Sequence, residues 1–176
     1  DSHSFKHSLV KGVMEEYLKL DMLTLEAISK EAGFPIEREV YLASRAESIE
    51  QGLLFEYRRK DQLIGYTTLR NLGDGRWFVP MFVVHPNYRS KAAFLALFRS
   101  IAETLKNNQA NVLVSNVLRI NELSVQFHKH LGFEITRENH LGYEFTLDLT
   151  SDVKDKWSNF LRLSLIHISE PTRRKR

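Results

Sequence analysis

Residues 76–94 read RWFVPMFVVHPNYRSKAAF. Arg76–Val84 is rich in aromatic and β-branched residues and follows a glycine turn, which predicts a strand. Pro80 lies inside it. A proline has no N–H to give to a ladder, so the strand should be bulged or incompletely paired there. After Pro86 a helix is expected over about Lys91–Asn107, with Phe94, Phe98, Ile101 and Leu105 as its core stripe. A strand running into a helix N-terminus is also where sheets of this kind bind phosphates.

Toward the N-terminus, LLFEYRR and LIGYTTLR read as two further strands joined by a turn at Lys60-Asp61-Gln62. Asn71–Gly75 is a hairpin turn, because Asp74-Gly75 supplies the positive φ that such turns require. Residues 6–50 read as helical. Leu9, Val13, Tyr17 and Leu20 form one stripe. Thr24 is the expected N-cap of a second helix that stops at Gly33 and Pro35. Val40, Ala43, Ala46 and Ile49 form the expected stripe of a third, ending at Gly52.

Toward the C-terminus, Asn111–Ser115 (NVLVS) reads as a short buried strand. Asn121 caps a helix that runs to His130 and is ended by Gly132. FEITREN and YEFTLDL close the fold as a strand pair around residues 139–142. The order is helices, three antiparallel strands, helix, strand, helix, two strands. The passage through residues 79–115 implies a parallel strand pair with a right-handed crossover. The class is therefore α/β.

The 176 residues suit one domain with a real core. No apolar run approaches the roughly 18 residues of a membrane helix. There is no cysteine, which removes thiol nucleophiles, thiolate metal sites and disulfides. The net charge of +3 is accounted for by Arg173, Arg174, Lys175 and Arg176 set against Glu170, so the body is neutral. That argues against a nucleic-acid footprint, which needs positive charge spread over a folded face. Leu163–Arg173, LSLIHISEPTR, resembles the translation of a transposon-based sequencing adapter, and residues 163–176 are expected to be non-native. Asp1 stands where a methionine would begin a chain, so the natural start is expected to lie upstream.

Two segments carry a family resemblance: FVVHPNYRSKAAF, Phe82–Phe94, and NELSVQFHKHLGF, Asn121–Phe133. Together, in this order, they resemble the GCN5-related N-acetyltransferase (GNAT) superfamily over roughly residues 53–149. The resemblance implies a mixed, mostly antiparallel sheet of about six strands, helices on both faces and a splayed parallel pair at a cofactor groove. Residues 1–150 would be a single domain with a helical part over 1–52, and 151–162 a tail.

It also implies acetyl-CoA as co-substrate, with no metal. The pantetheine arm would lie between Phe82-Val83-Val84 and the strand Asn111–Ser115. The pyrophosphate would meet Arg89, Ser90, Lys91, Ala92 and Ala93 at the opening of a helix, where free amides and the dipole favour anions. Asn121 and Ser124 match residues that touch CoA, although Asn121 also suits a plain helix cap. The family's first glycine is Ala92 here, and its second small residue is Phe94. Phe94 either crowds the pyrophosphate or turns into the core.

His128 stands where the family often keeps a tyrosine that protonates the departing thiolate. Imidazolium is the stronger acid, with an ordinary pKa of about 6.5 against about 10. His128 is thus a candidate general acid, or a bystander. His128 and His130 lie about 200° apart on a helix, a poor metal pair. Glu56 and Glu144 are the candidate bases by strand position, while His85 is expected to pack beside Pro86. The activity implied is acyl transfer from CoA to a small-molecule or peptide amine in a ternary complex. The other reading is a weak or inactive acyl-CoA-binding or partner-binding module. A cytoplasmic location, no membrane or nucleic-acid partner, and a homodimer left open complete the expectations.

Overall fold

The computed structural model describes residues 2–33, 36–88 and 90–150, leaving out the side chains of residues 2–11, 13, 27 and 28. The expected tails, Pro35 and Arg89 lie outside the described residues.

Helix α1 runs unbroken over Ser2–Glu31. Thr24 is therefore not an N-cap. Its Oγ1 donates to the Leu20 carbonyl at 2.8 Å, the back-bond a threonine makes inside a helix. No glycine or proline lies between Leu20 and Thr24 to stop the first helix. Gly33, at φ +82°, follows its end.

Helix α2 is Arg38–Glu50. Its expected apolar stripe is overturned, since Val40, Ala43 and Ile49 are exposed. Arg45 is the buried residue of this helix. It donates Nε–H to the Tyr66 hydroxyl at 2.9 Å and pairs with Asp21 at 3.6 Å. The Tyr66 hydroxyl in turn donates to Asp21. A buried carboxylate demands a buried cation, and that demand sets the rotation of α2.

Six strands were expected, and the described residues form eight because two of them are interrupted. They are β1 Leu54–Arg59, β2 Gln62–Thr68, β3 Arg70–Gly73, β4 Arg76–Val79, β5 Phe82–Val84, β6 Val112–Leu118, β7 Glu134–Glu138 and β8 Gly142–Asp148. The breaks fall at Leu69 and at Pro80-Met81. Two sheets result, in the orders β1-β2-β5 and β3-β4-β6-β8-β7. The chain passes from one sheet to the other at each break.

The break at Pro80 positions the site. β4 pairs parallel with β6 from Arg76 opposite Val112 to Val79 opposite Ser115. The missing N–H of Pro80 ends that ladder. The Met81 carbonyl is taken by Thr68 N–H at 3.0 Å and the Thr67 hydroxyl at 2.8 Å. β5 then pairs antiparallel with β2, Val84 opposite Gly65 and Phe82 opposite Thr67. β6 continues on β8 alone, from Asn116 opposite Glu144 to Leu118 opposite Gly142.

β5 and β6 therefore part beyond the Val79–Ser115 pair. The parallel splay is present, with its register shifted from the expectation. Residues 112–115 are zipped to β4, so the open stretch of β6 is Asn116–Leu118.

Helix α3, Lys91–Asn107, buries Ala93, Leu95, Leu97, Phe98, Ile101 and Leu105. Its Phe98, Ile101 and Leu105 share a core with Trp77, Leu113, Phe145 and Leu147. Helix α4, Glu122–His130, adds Val125 to it. Each large side chain so buried stabilises by about 1.5–3 kcal/mol. Tyr17 and Leu20 of α1 cover Leu63, Tyr66 and Val83 on the other sheet.

Burial pushes the Asp21 carboxyl up to about 6, against the opposing pull of the Tyr66 hydroxyl and Arg45. A carboxyl raised on folding contributes stability that is fully present below its unfolded value and is lost as pH rises through the folded one. The expected result is that wild-type protein loses stability relative to Asp21→Asn between about pH 4 and pH 6. Thermal unfolding of both proteins across that window checks it, and a pH-independent difference would contradict it.

Candidate active site

Helix α4 begins at Asn121, whose side chain accepts Ser124 N–H at 3.4 Å. Helical spacing then puts Ser124 and His128 on one face. His128 Nδ1 lies 2.7 Å from the Ser124 carbonyl oxygen. A carbonyl only accepts, so Nδ1 carries the proton. Nε2 lies 2.9 Å from the Ser115 hydroxyl and accepts from it in the neutral ring. Phe145 stacks on the imidazole and Phe133 meets it edge-on, each at 5.0 Å between ring centres. Burial lowers the His128 pKa below its ordinary value, and the Ser124 carbonyl offsets this only in part. The ring is therefore neutral at pH 7.

The sequence put Ser115 at the end of the strand expected beside the pantetheine arm but did not pair it with His128. Ser115 is buried on β6, opposite Val79 at the last rung before the strands part. The available signal was a lone hydroxyl on the face of β6 that otherwise shows Leu113 and Val117.

The helix of the other motif is capped by Ser90, whose Oγ accepts Ala93 N–H at 3.1 Å. The Phe94 N–H bonds to the Ser90 carbonyl. That leaves the Lys91 and Ala92 N–H groups as first-turn donors with no intrahelical acceptor. Ala92 is helical, so the family's glycine is not needed there for its backbone. Phe94 does turn inward, against the core and between β5 and α4. It meets Phe82 of β5 at 5.3 Å, Phe98 at 5.9 Å and Phe127 of α4 edge-on at 4.4 Å.

The two candidate bases are not brought to His128. Glu56 faces α1 from β1, accepting from Tyr17 at 2.5 Å and from Arg58 at 3.0 and 3.1 Å. Partial burial pushes its carboxyl upward, but the bonds from Arg58 and Tyr17 outweigh this and hold it below its ordinary value. Glu144 lies on β8 opposite Asn116 and accepts from Thr136 at 2.9 Å. Alternation along the strand points it away from the face on which Phe145 meets His128. His85 continues the β2–β5 ladder through Ile64, and its ring packs on Tyr88.

A family model described as "Acetyltransferase (GNAT) domain" matches residues 21–145. Comparison with curated proteins finds no match. Among solved structures, the chain is similar to the PaiA N-acetyltransferase of Thermoplasma acidophilum in complex with coenzyme A. The two share 14% identity over 77% of this chain and 92% of that one, with a TM-score of 0.62. It is also similar to the ribosomal-protein-S18-alanine N-acetyltransferase of Escherichia coli, at 14% identity over 77% and 86% of the two chains and a TM-score of 0.61. A third is the ribosomal-protein-alanine N-acetyltransferase of Brucella melitensis, at 15% identity over 80% and 94%, with a TM-score of 0.57. At these identities the structural likeness is one of fold. The family match spans most of the chain, and both sequence motifs fall where that fold opens its sheet. The chain therefore belongs to the GNAT acetyltransferase domain family.

Proposed function

We propose that this chain transfers an acetyl or other short acyl group from CoA to a primary amine by direct attack in a ternary complex. One observation carries the reading: β5 and β6 part beyond Val79 and Ser115, beside the Ser90-capped start of α3. Phe82, Val83 and Val84 would offer the pantetheine arm the strand edge that β2 does not use. The free amides of Lys91 and Ala92, with Ser90, Ala93 and Arg89, would receive the pyrophosphate. Asn121 and Ser124 would touch the pantetheine or adenine side of CoA from the start of α4, where Asn121 already serves as the cap. Of the carboxylate bases, Glu56 is the less suited, being tied to Arg58 and Tyr17.

The test is calorimetric titration with CoA, followed by thiol release from acetyl-CoA. The acceptors are spermidine, a lysine peptide, an alanine-terminated peptide and an arylalkylamine. No CoA binding at millimolar concentration would sink the proposal.

A second reading is favoured by Phe94. Its contacts with Phe82 and Phe127 bridge the mouth that CoA would enter, which suits a module with weak CoA binding and little chemistry. Phe94→Ala separates the two. If Phe94 closes the mouth, the variant binds CoA more tightly than wild type, in the same titration. If CoA packs against Phe94, the variant binds more weakly.

A further inference from the structure

Resting on the acyltransferase reading, we propose that Ser115 and His128 form a two-group proton relay that serves first as the base and then as the acid of the transfer. The geometry is that of an activated hydroxyl: Ser115 Oγ to His128 Nε2 is 2.9 Å, and Nδ1–H is anchored on the Ser124 carbonyl at 2.7 Å. A hydroxyl, a base within hydrogen-bond reach and a third group orienting the base are the recurring parts of such a unit. The pair stands at the vertex of the splay, because Ser115 is the last residue of β6 that β4 covers.

The relay inverts the role expected for His128 from the sequence. A resting imidazolium donates a proton, whereas a neutral imidazole accepts one. His128 is held neutral by its surroundings and fixed in the tautomer whose lone pair faces Ser115. Among the described residues, the groups in contact with it are Ser124 and Phe127 on α4, Ser115 on β6, Phe133 in the turn after α4 and Phe145 on β8. None of these carries a charge.

The acceptor enters as its neutral amine, having shed its ammonium proton to solvent. Its nitrogen attacks the thioester carbon, and the C–N bond forms as the carbonyl π pair moves onto oxygen. The departing N–H proton passes to Ser115 Oγ as the Ser115 proton moves to Nε2. The oxygen pair then re-forms the carbonyl and the C–S bond breaks with its electron pair on sulfur. The proton returns from Nε2 through Ser115 to the thiolate, leaving amide, free thiol and the starting relay. No cysteine, metal or external base is consumed.

The experiment measures acetyl-CoA thiol release against pH with the best amine of the panel above, for wild type, Ser115→Ala, Ser115→Thr and His128→Gln. Loss of general acid–base catalysis costs about 10²-fold or more. Ser115→Ala should therefore lose about a hundredfold in kcat at unchanged KM for acetyl-CoA, and Ser115→Thr should regain most of it. Wild type should show an ascending limb below pH 6.5 that His128→Gln abolishes. Imidazole ¹⁵N spectra of the wild-type protein should show a neutral ring protonated on Nδ1 at pH 7.

Wild-type activity that survives in both Ser115→Ala and His128→Gln overturns the relay alone. An imidazolium, or the Nε2–H tautomer, at pH 7 does the same without any variant. No thiol release by wild type with any amine overturns the acyltransferase reading and the relay with it.

Discussion

Arg45→Ala should lower stability by roughly 3–5 kcal/mol, the cost of leaving a buried ion without its partner. For a domain of this size, each kcal/mol moves the unfolding midpoint by about 2–4 °C, so a drop of about 10 °C is expected. Arg45 and Asp21 are both fully enclosed, joined through the Tyr66 hydroxyl. The guanidinium also lies 5.2 Å from the Tyr41 ring centre and 5.4 Å from that of Tyr66. The loss should shrink on acidification, because a protonated Asp21 no longer needs the cation. Thermal melts at pH 7 and pH 5 read both effects. A drop below 1 kcal/mol, or one that grows as pH falls, contradicts the account.

Gly65→Val should cost about 3 kcal/mol and also damage CoA binding. Gly65 sits on β2 opposite Val84 of β5, at a φ that any residue can adopt, so the argument is one of space. A Cβ there would stand 2.7 Å from the Val83 carbonyl oxygen and 3.2 Å from Leu97. The first contact is backbone and cannot rotate away, so β5 must shift. β5 is the strand proposed to hold the pantetheine arm, and its displacement should weaken CoA binding beyond what unfolding explains. Calorimetric titration well below the unfolding midpoint separates the two effects. Wild-type CoA affinity in a folded Gly65→Val protein would show that β5 does not carry the arm.

Much of the fold was legible because its signals are local. Helix α3 falls on Lys91–Asn107 as read, since the apolar period and the break at Pro86 are both written within one segment. The chain leaves the helical region before Gly33 and Gly52 and closes α4 before Gly132, each at positive φ. The interruption at Pro80 follows from one missing N–H. Thr24 misled because its hydroxyl caps a helix start or back-bonds within a helix equally well, and only the continuity of α1 chooses. The α2 stripe failed for a different reason. Its apolar residues lost the inward face to Arg45, whose partners Asp21 and Tyr66 lie far away in sequence.

The site divides in the same way. Both motif segments were readable, and so was the Asn121 cap, because a cap spans only three residues. The direction of Phe94 was left open and is decided by Phe82 and Phe127, which approach from different elements. The register of the splay was read too early on β6, since pairing depends on where β4 ends rather than on β6 itself.

The sequence by itself determined where the elements lie, where one strand must break and which family the motifs belong to. Those follow from backbone donors, φ preferences and spacing within a few residues. Only the tertiary structure decided the state of His128. Its tautomer comes from a carbonyl one turn back, its hydrogen-bond partner from a serine on another strand, and its neutrality from aromatic rings on β8 and after α4. Charge and proton position depend on what surrounds a group in space, and that exists only once the chain has folded.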